Sequence, residues 1–350
     1  MTLRPPFSNA SRSLGAFLLL PAAALFFLSS CKKDQNSEWT GPTLADEAEL
    51  RETTLAKPSH TPDLSASPAT HPHSTTEPSL RFIAYNVENW LTMDRYINGE
   101  RQKSKGKPEE ETEAATRLLS RYQPDVLGIC EIGTAEDLKD LQSRLKDAGL
   151  DLPHSHHTGG FDPTRRLALL SRLPITSVER HEELEYTLEA KTRGMGRGII
   201  DATVETRLGP VRFLGVHLKS KREIPEADQE MMRRAEAHLV RAHADHILTA
   251  EPDAKLIVYG DFNDSRQSSS VRTLRGPGKG PLSLKMTYLK DSRGETWTHF
   301  WSYQDIYSRF DYVLFSEPLL DLADFESCRI LDDPEVMEAS DHRPLLFVLE

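Results

Sequence analysis

Asn86, Glu131, His217, Asp261, Asn263, Asp311, Asp341 and His342 share one placement: each lies at or beside the end of an apolar run. Acids, amides and imidazoles at strand ends converge on one rim of a sheet, where a single substrate can meet them. The carboxylates of Glu131, Asp261 and Asp341, with the amides of Asn86 and Asn263, form a hard oxygen set that suits Mg²⁺ or Mn²⁺. Zinc would want more nitrogen or sulfur. His217 and His342 are then left for proton transfer and phosphate contact, with Asp311 a candidate to fix the tautomer of one imidazole. Metal, carboxylate and oriented histidine together make a phosphoester hydrolase. The cation offsets charge developing on a nonbridging or leaving oxygen, and a carboxylate or imidazole deprotonates water for in-line attack.

The elements that must position these groups are legible in outline. LRFIAYNVENW, from Leu80, places Leu80, Phe82 and Ala84 on one face of a strand before turning polar. Glu109 to Tyr122 reads as a helix, with acids in its first turn and Ala114, Leu118 and Leu119 on one stripe; Pro124 ends it. DVLGICEI is a nearly unbroken apolar run and suits a buried strand. A helix from Glu136 to Leu145 follows, then strands in RLALLSR, GIIDATVET and PVRFLGVHL. Pro225 to Leu248 carries Met232, Ala235, Leu239, Ala242 and His246 at helical spacing, and KLIVYGDFND, RFDYVLFS and RPLLFVLE complete the strands. No internal repeat appears. Strands alternating irregularly with helices predict one large α/β or α+β sandwich domain over 80–350.

Composition limits the partners and sets the domain apart from what precedes it. Residues 80–350 hold 37 basic and 46 acidic side chains, a net charge of −9, so a surface that coats nucleic acid throughout is excluded, whereas local basic patches are not. Three cysteines, Cys31, Cys130 and Cys328, exclude a disulfide scaffold. Residues 1–31 read as a targeting segment, with Arg4 and Arg12 ahead of an apolar run from Leu14 to Leu28 that is short for a bilayer span. The ending Leu28-Ser29-Ser30-Cys31 resembles a bacterial lipobox, which implies lipidation of Cys31 and export on a lipid anchor to a bacterial membrane. Lys32-Lys33 follows with no Asp beside the cysteine, which favours the outer membrane. Residues 32–79 hold 6 Pro, 6 Ser and 8 Thr, a tether that cannot offset its ordering entropy.

YNVEN (85–89), CE (130–131), LLSRLPI (169–175), VHLKS (216–220), GDFND (260–264), RFDYVLFS (309–316) and SDHRPL (340–345) follow one another as the motifs of the endonuclease/exonuclease/phosphatase superfamily do, and the chain resembles that superfamily over 80–350. The resemblance implies a four-layer α/β/β/α sandwich of two mixed sheets, deoxyribonuclease I-like, with the site at the rim between them. It implies that Glu131 and Asn86 hold the metal with Asp341 nearby, and that Asp261 positions or deprotonates water. Asn263 and His217 would meet the scissile phosphate, and His342 would be the catalytic imidazole paired with Asp311. Arg197 resembles the phosphate-contacting arginine. Glu88 stands where many of the nucleases have Asp, and its extra methylene makes it a secondary metal candidate.

The remaining features read more plainly. His154, His156 and His157 fall in a polar loop before Gly159-Gly160; Cys130 reads as a buried small side chain, with a bridge to Cys328 open; Met231-Met232 reads as helix packing. Arg95 to Lys107, with five basic residues and one acid, and Lys191 to Arg197, with three, flank the motif segments and suit neighbouring phosphates. No apolar loop resembles a membrane-inserting hairpin; Trp297, Phe300 and Trp301 come nearest to one, and the family resemblance implies that such an aromatic run sits in the core or site floor. The leading expectation is a lipid-anchored, metal-dependent nuclease. A phospholipid or sphingomyelin phosphodiesterase, an inositol-phosphate phosphatase and a catalytically silent binding module are the alternatives; no protein partner is indicated.

Overall fold

Runs of β-branched and aromatic residues form the strands, which assemble into two six-stranded sheets. The structure, a computed structural model, describes residues 80–97 and 100–350. The expected targeting segment with Cys31 and the expected tether lie outside the described residues. The first sheet runs, edge to edge, β17 (Arg329–Ile330), β18 (Leu345–Leu349), β1 (Leu80–Trp90), β4 (Val126–Ile132), β6 (Arg166–Ser171) and β5 (His154–Thr158). The second runs β13 (Lys285–Met286), β16 (Asp311–Phe315), β12 (Leu256–Asp261), β11 (Gly209–His217), β10 (Ile200–Thr206) and β7 (Ile175–Val178). Three hairpins stand apart: β2–β3 (Met93–Ile97, Glu100–Lys105), β8–β9 (Glu185–Leu188, Lys191–Gly194) and β14–β15 (His299–Trp301, Ile306–Ser308).

Each sheet has one parallel pair, β1 with β4 and β11 with β12, flanked by antiparallel neighbours. Both sheets are therefore mixed. Their inner faces meet through Phe82, Phe213, Tyr259, Phe315 and Phe347, with the Phe82 ring 4.8 Å from Tyr259 and 5.1 Å from Phe213. Tyr259 reaches across to β4, where a Cβ on Gly128 would lie 2.1 Å from its ring. Any larger residue at 128 would force the sheets apart.

The outer faces are covered by helices. α1 (Glu109–Tyr122) and α2 (Ala135–Asp147) bury Ala114, Ala115, Leu119, Leu138, Leu141 and Leu145 in the cluster that holds the first sheet. α3 (Gln229–Ala250) and α4 (Ser269–Arg275) pack Val240, Ala244, Val271 and Leu274 with Leu214, Val216, Val258 and Leu314 of the second sheet. A short α5 (Val336–Ala339) precedes β18. Helix, sheet, sheet, helix is the four-layer sandwich, and it corrects the expected one-faced β1. Leu80 to Val87 is buried throughout apart from a partly exposed Arg81, because both faces of the strand are covered. Among the described residues no helix is long and apolar enough to cross a membrane.

α3 departs most from expectation. It starts at Gln229, where Asp228 caps it by accepting the Met231 amide at 2.8 Å, and its buried stripe is Arg233, Glu236, Ala237, Val240, Arg241, Ala244, Ile247 and Leu248. Ala242, His246 and Met231 face solvent. Three charged residues occupy the inward face because each has built partners. Arg233 donates to Asp264, Arg241 to the Leu274 and Leu282 carbonyls, and Glu236 accepts from the amides of Gly196 and Lys219. Buried and paired charges of this kind are invisible to a hydrophobic periodicity.

One smaller reading changes, that of the histidine loop, and one holds, that of Cys130 as buried, with the bridge to Cys328 not formed. His154, His156 and His157 belong to β5, paired with β6, so the strand's alternation sends His156 and His157 to opposite faces. Cys130 and Cys328 are both buried free thiols, each donating to a backbone carbonyl, Val216 and Val348 respectively.

Candidate active site

Register brings the site together. Asn86 pairs with Cys130 across β1–β4, leaving Glu131 one residue on, and His217 pairs with Asp261 across β11–β12. Both parallel pairs thus end at the same rim. Asp261 also faces Asp311 at the start of antiparallel β16, and the turn that carries Ser340 to His342 enters β18 beside β1. The C-terminal ends of the parallel strands and the N-terminal ends of their antiparallel neighbours meet there.

Local backbone aims the side chains. Both ladders involving β4 shift register near Glu131, and Glu131 itself adopts φ 66°. A bulge of this kind turns a side chain off the pleat and onto the rim. Glu88, Asn89 and Asn263 also have positive φ, at 47°, 56° and 51°. Left-handed backbone at such residues costs about 1–3 kcal/mol each and persists only where the surroundings impose it. Gly260, at φ 129°, lets β12 close on β11: a Cβ there would sit 2.0 Å from the Val216 carbonyl oxygen.

At the centre is the Asn86 amide, buried, whose Nδ2 donates to Asp261 Oδ2 at 3.2 Å and to Glu131 Oε1 at 3.5 Å, and lies 3.5 Å from His342 Nε2. His217 Nε2 lies 3.5 Å from Asp261 Oδ2 and 3.8 Å from Glu131 Oε1. His342 Nδ1 faces Asp311 Oδ2 at 2.7 Å, leaving Nε2 toward Asp261, 3.7 Å away. Asn263 donates its own amide N–H to Asp261 Oδ1 at 2.8 Å and its side-chain Nδ2 to the Leu218 carbonyl. Asn86, Glu131, His217, Asp261, Asn263, Asp311 and His342 therefore form one contiguous network.

The other candidates sit around it. Asp341 is joined by no hydrogen bond or ion pair to Glu131; its carboxylate faces His299 Nε2 at 3.6 Å and His342 Nε2 at 3.9 Å. Glu88 accepts the Asp341 backbone amide at 2.9 Å, so it braces the catalytic turn. Arg197 is buried and pairs with Asp162 at 3.5 Å, close enough for its charge to act on His217.

Three neighbours were missed from the sequence. Arg165 Nε lies 3.7 Å from Glu131 Oε2, the His299 ring is 4.7 Å from that of His342, and Ser340 donates to the Asn86 carbonyl while accepting the His342 amide. His299 was hidden within an aromatic run, although its place in β14, bridged to His342, is what ties the β14–β15 hairpin to the site. The hairpin divides the reading of TWTHFW as core or site floor: Thr298 is buried and His299 meets His342, whereas Trp301 is 46% exposed, as are Tyr303 (84%) and Tyr307 (57%) further along the hairpin. The basic stretch 95–107 divides. Arg95 donates to the Asn89 and Leu91 carbonyls and Lys107 to the Glu88 carbonyl and Glu111, while Arg101, Lys103 and Lys105 are exposed.

Electrostatics decide whether the residues fit a cation. Burial pushes Asp261 up to about 7 against the lowering pull of His342, and burial with the charge of Asp341 pushes Glu88 up to about 7. Buried carboxylates of this kind favour the approach of positive charge, such as a divalent cation, which would stabilise their ionised forms. Burial lowers the His342 imidazole, but Asp311 and Asp261 outweigh it and hold the ring well above its ordinary value. Burial, with Arg197, drives His217 well below its own, so that ring is neutral.

A family model described as Endonuclease/Exonuclease/phosphatase family matches residues 97–342. No curated protein matches the chain. Among solved structures, the human Nocturnin catalytic domain with bound sulfate anion is 18% identical, with TM-score 0.53 over 79% of this chain and 95% of that one. Sphingomyelinase C from Streptomyces griseocarneus is 14% identical, with TM-score 0.52 over 78% and 100%. A beta toxin mutant from Staphylococcus aureus with bound magnesium ions is 13% identical, with TM-score 0.52 over 78% and 100%. At these identities the likeness is one of fold.

Proposed function

Since the chain belongs to the Endonuclease/Exonuclease/phosphatase family and is thereby a phosphoester hydrolase, we propose that it is a Mg²⁺- or Mn²⁺-dependent nuclease that cleaves phosphodiester bonds by attack of water. Glu131 would hold the cation with Asp341 nearby, and Asn86 would join it through Oδ1 once its amide turns from the arrangement in which Nδ2 faces Glu131 and Asp261 and Oδ1 accepts the Glu88 amide. The cation, when bound, supplies charge stabilisation on the phosphoryl oxygens. Neutral His217 and Asn263 orient the scissile phosphate, and Arg197 adds positive charge to it. Asp261 Oδ2 and His342 Nε2, 3.7 Å apart, flank the position at which water gives up its proton. Asp311 keeps the His342 Nδ1 proton in place, so that Nε2 is the working nitrogen.

The observation that carries the choice of nucleic acid is the surface beside this centre. The hairpin strand β14 is bonded to the catalytic turn, Phe300 N to the Asp341 carbonyl at 2.9 Å, and it presents Trp301, Tyr303 and Tyr307 to solvent. Cations are interleaved with aromatic rings nearby, Lys221 over Phe310 and Arg266 over exposed Tyr288. Stacking faces alternating with positive charge suit a single strand with splayed bases. The hairpin tip, Ser302 to Asp305, carries Gln304 and Asp305, a poor composition for insertion among lipid tails. We infer also that Cys31 anchors the protein by lipid, with its domain held in the periplasm or at the cell surface.

One panel tests the substrate: plasmid and single-stranded DNA, RNA, bis-p-nitrophenyl phosphate, sphingomyelin and inositol polyphosphates, with wild type and His342→Ala side by side. DNA or RNA cleaved only by wild type supports the nuclease. Hydrolysis of the generic diester or sphingomyelin with inert DNA and RNA rejects it and keeps the hydrolase.

A further inference from the structure

Away from the catalytic rim, four ligand-type side chains converge without serving the reaction. Glu179 and His181 lie on the segment after β7, Asp201 on β10 and His243 on α3. Backbone pairing fixes the first three: the Glu179 amide donates to the Asp201 carbonyl at 3.0 Å, and His181 bridges Ile199. One donor atom from each of the four lies within 4.8 Å of the others.

The geometry is hard to satisfy with hydrogen bonds alone. His243 Nε2 lies 2.6 Å from Asp201 Oδ2, His181 Nε2 3.2 Å and the Arg212 terminal nitrogen 2.7 Å. Three donors thus press on one carboxylate oxygen that has two lone pairs. Both imidazoles present the same ring nitrogen, with their centroids 4.2 Å apart. The separations of 2.6, 3.2 and 3.8 Å, the last from His181 to Glu179 Oε2, bracket the ligand-to-ligand edge of about 3.3 Å that a tetrahedron of zinc–ligand bonds requires. Arg212 also donates Nε to Asp201 Oδ1 at 2.7 Å and its terminal nitrogen to Glu179 Oε1 at 2.6 Å. It grips both oxygens of Asp201 and Oε1 of Glu179, which fixes the two carboxylates with Asp201 Oδ2 shared between Arg212 and the rings and Glu179 Oε2 facing His181; such partners orient metal-ligating carboxylates. Asp201 is buried, the two histidines nearly so, and Glu179 is half-exposed, which leaves a path from solvent.

We propose that Glu179, His181, Asp201 and His243 form a second cation site, for zinc or a similar borderline ion, that pins the segment carrying Arg197 to α3. Its N₂O₂ ligand set differs from the oxygen-rich catalytic rim, so the two sites select different metals. Filling it closes the fourth position and makes the site structural.

The test titrates metal-stripped full-length protein with Co²⁺ in excess Mg²⁺, which occupies the oxygen-rich site. Wild type takes up one Co²⁺ with the visible d–d bands of tetrahedral coordination, and Zn²⁺ displaces it. Glu131→Gln keeps the bands; His243→Gln and His181→Gln lose them while retaining wild-type circular dichroism. Should either histidine variant fail to fold, the other and the half-exposed Glu179→Gln, which should bind more weakly, decide. Absence of tetrahedral bands in wild type overturns the proposal. So does their survival in both histidine variants, or their loss in Glu131→Gln.

Discussion

His342 Nδ1 and Asp311 Oδ2 lie 2.7 Å apart although the two residues belong to different sheets, Asp311 opening β16 of the second and His342 standing before β18 of the first. The bond joins the sheets at the rim and orients the imidazole in one step. Asp311→Asn removes the charge that holds the ring, and its amide can either accept from Nδ1 through Oδ1 or donate to it through Nδ2, so the ring's protonation and orientation are no longer fixed. Turnover of a generic phosphodiester should fall about 10³–10⁴-fold, with melting temperature close to wild type. A variant of wild-type rate removes Asp311 from the mechanism.

Glu131→Gln keeps the shape of the bulged side chain and removes its charge. Activity should drop by orders of magnitude and recover in part as Mg²⁺ is raised, since a weakened site fills at higher metal. EDTA should abolish wild-type activity; full activity in EDTA would sink the metal assignment.

Arg343, in the same SDHRP segment as His342, serves stability. It is fully buried, donates to Asp291 at 2.7 Å and lies 4.0 Å from the Trp297 ring. Arg343→Ala leaves Asp291 buried and unpaired and should cost about 3–5 kcal/mol, read from denaturant unfolding. A loss below about 1 kcal/mol, the scale of an exposed pair, would show that the ion pair is not structural.

The hairpin aromatics should separate polymer from small substrates. Removing both Trp301 and Tyr303 side chains by alanine substitution should raise KM for single-stranded DNA about tenfold or more, from stacking worth about 1–3 kcal/mol per base. Bis-p-nitrophenyl phosphate should be hydrolysed as by wild type. Equal losses on both substrates would make the hairpin a support of the site.

Cys31→Ser should leave an unprocessed precursor, and wild-type protein should partition into detergent. Native protein that is water-soluble, unacylated and cleaved elsewhere would count against lipid anchoring.

Strand-end chemistry was legible in the sequence because each motif is local. YNVEN, GDFND and SDHRPL each place a polar group where an apolar run stops, and their order named the family and hence the sandwich. What the sequence hid was decided by packing between distant segments. The inward stripe of α3 could not be read because Arg233, Glu236 and Arg241 become tolerable inside only once Asp264, Leu274, Gly196 and Lys219 meet them. His299 and Arg165 gained their places from hairpin and loop docking, and Glu179, His181, Asp201 and His243 are brought together only when α3 lies on the second sheet. Periodicity reports which face of its own element a residue occupies; the distance between side chains on different elements is set by how those elements pack, and that is a property of the tertiary fold alone.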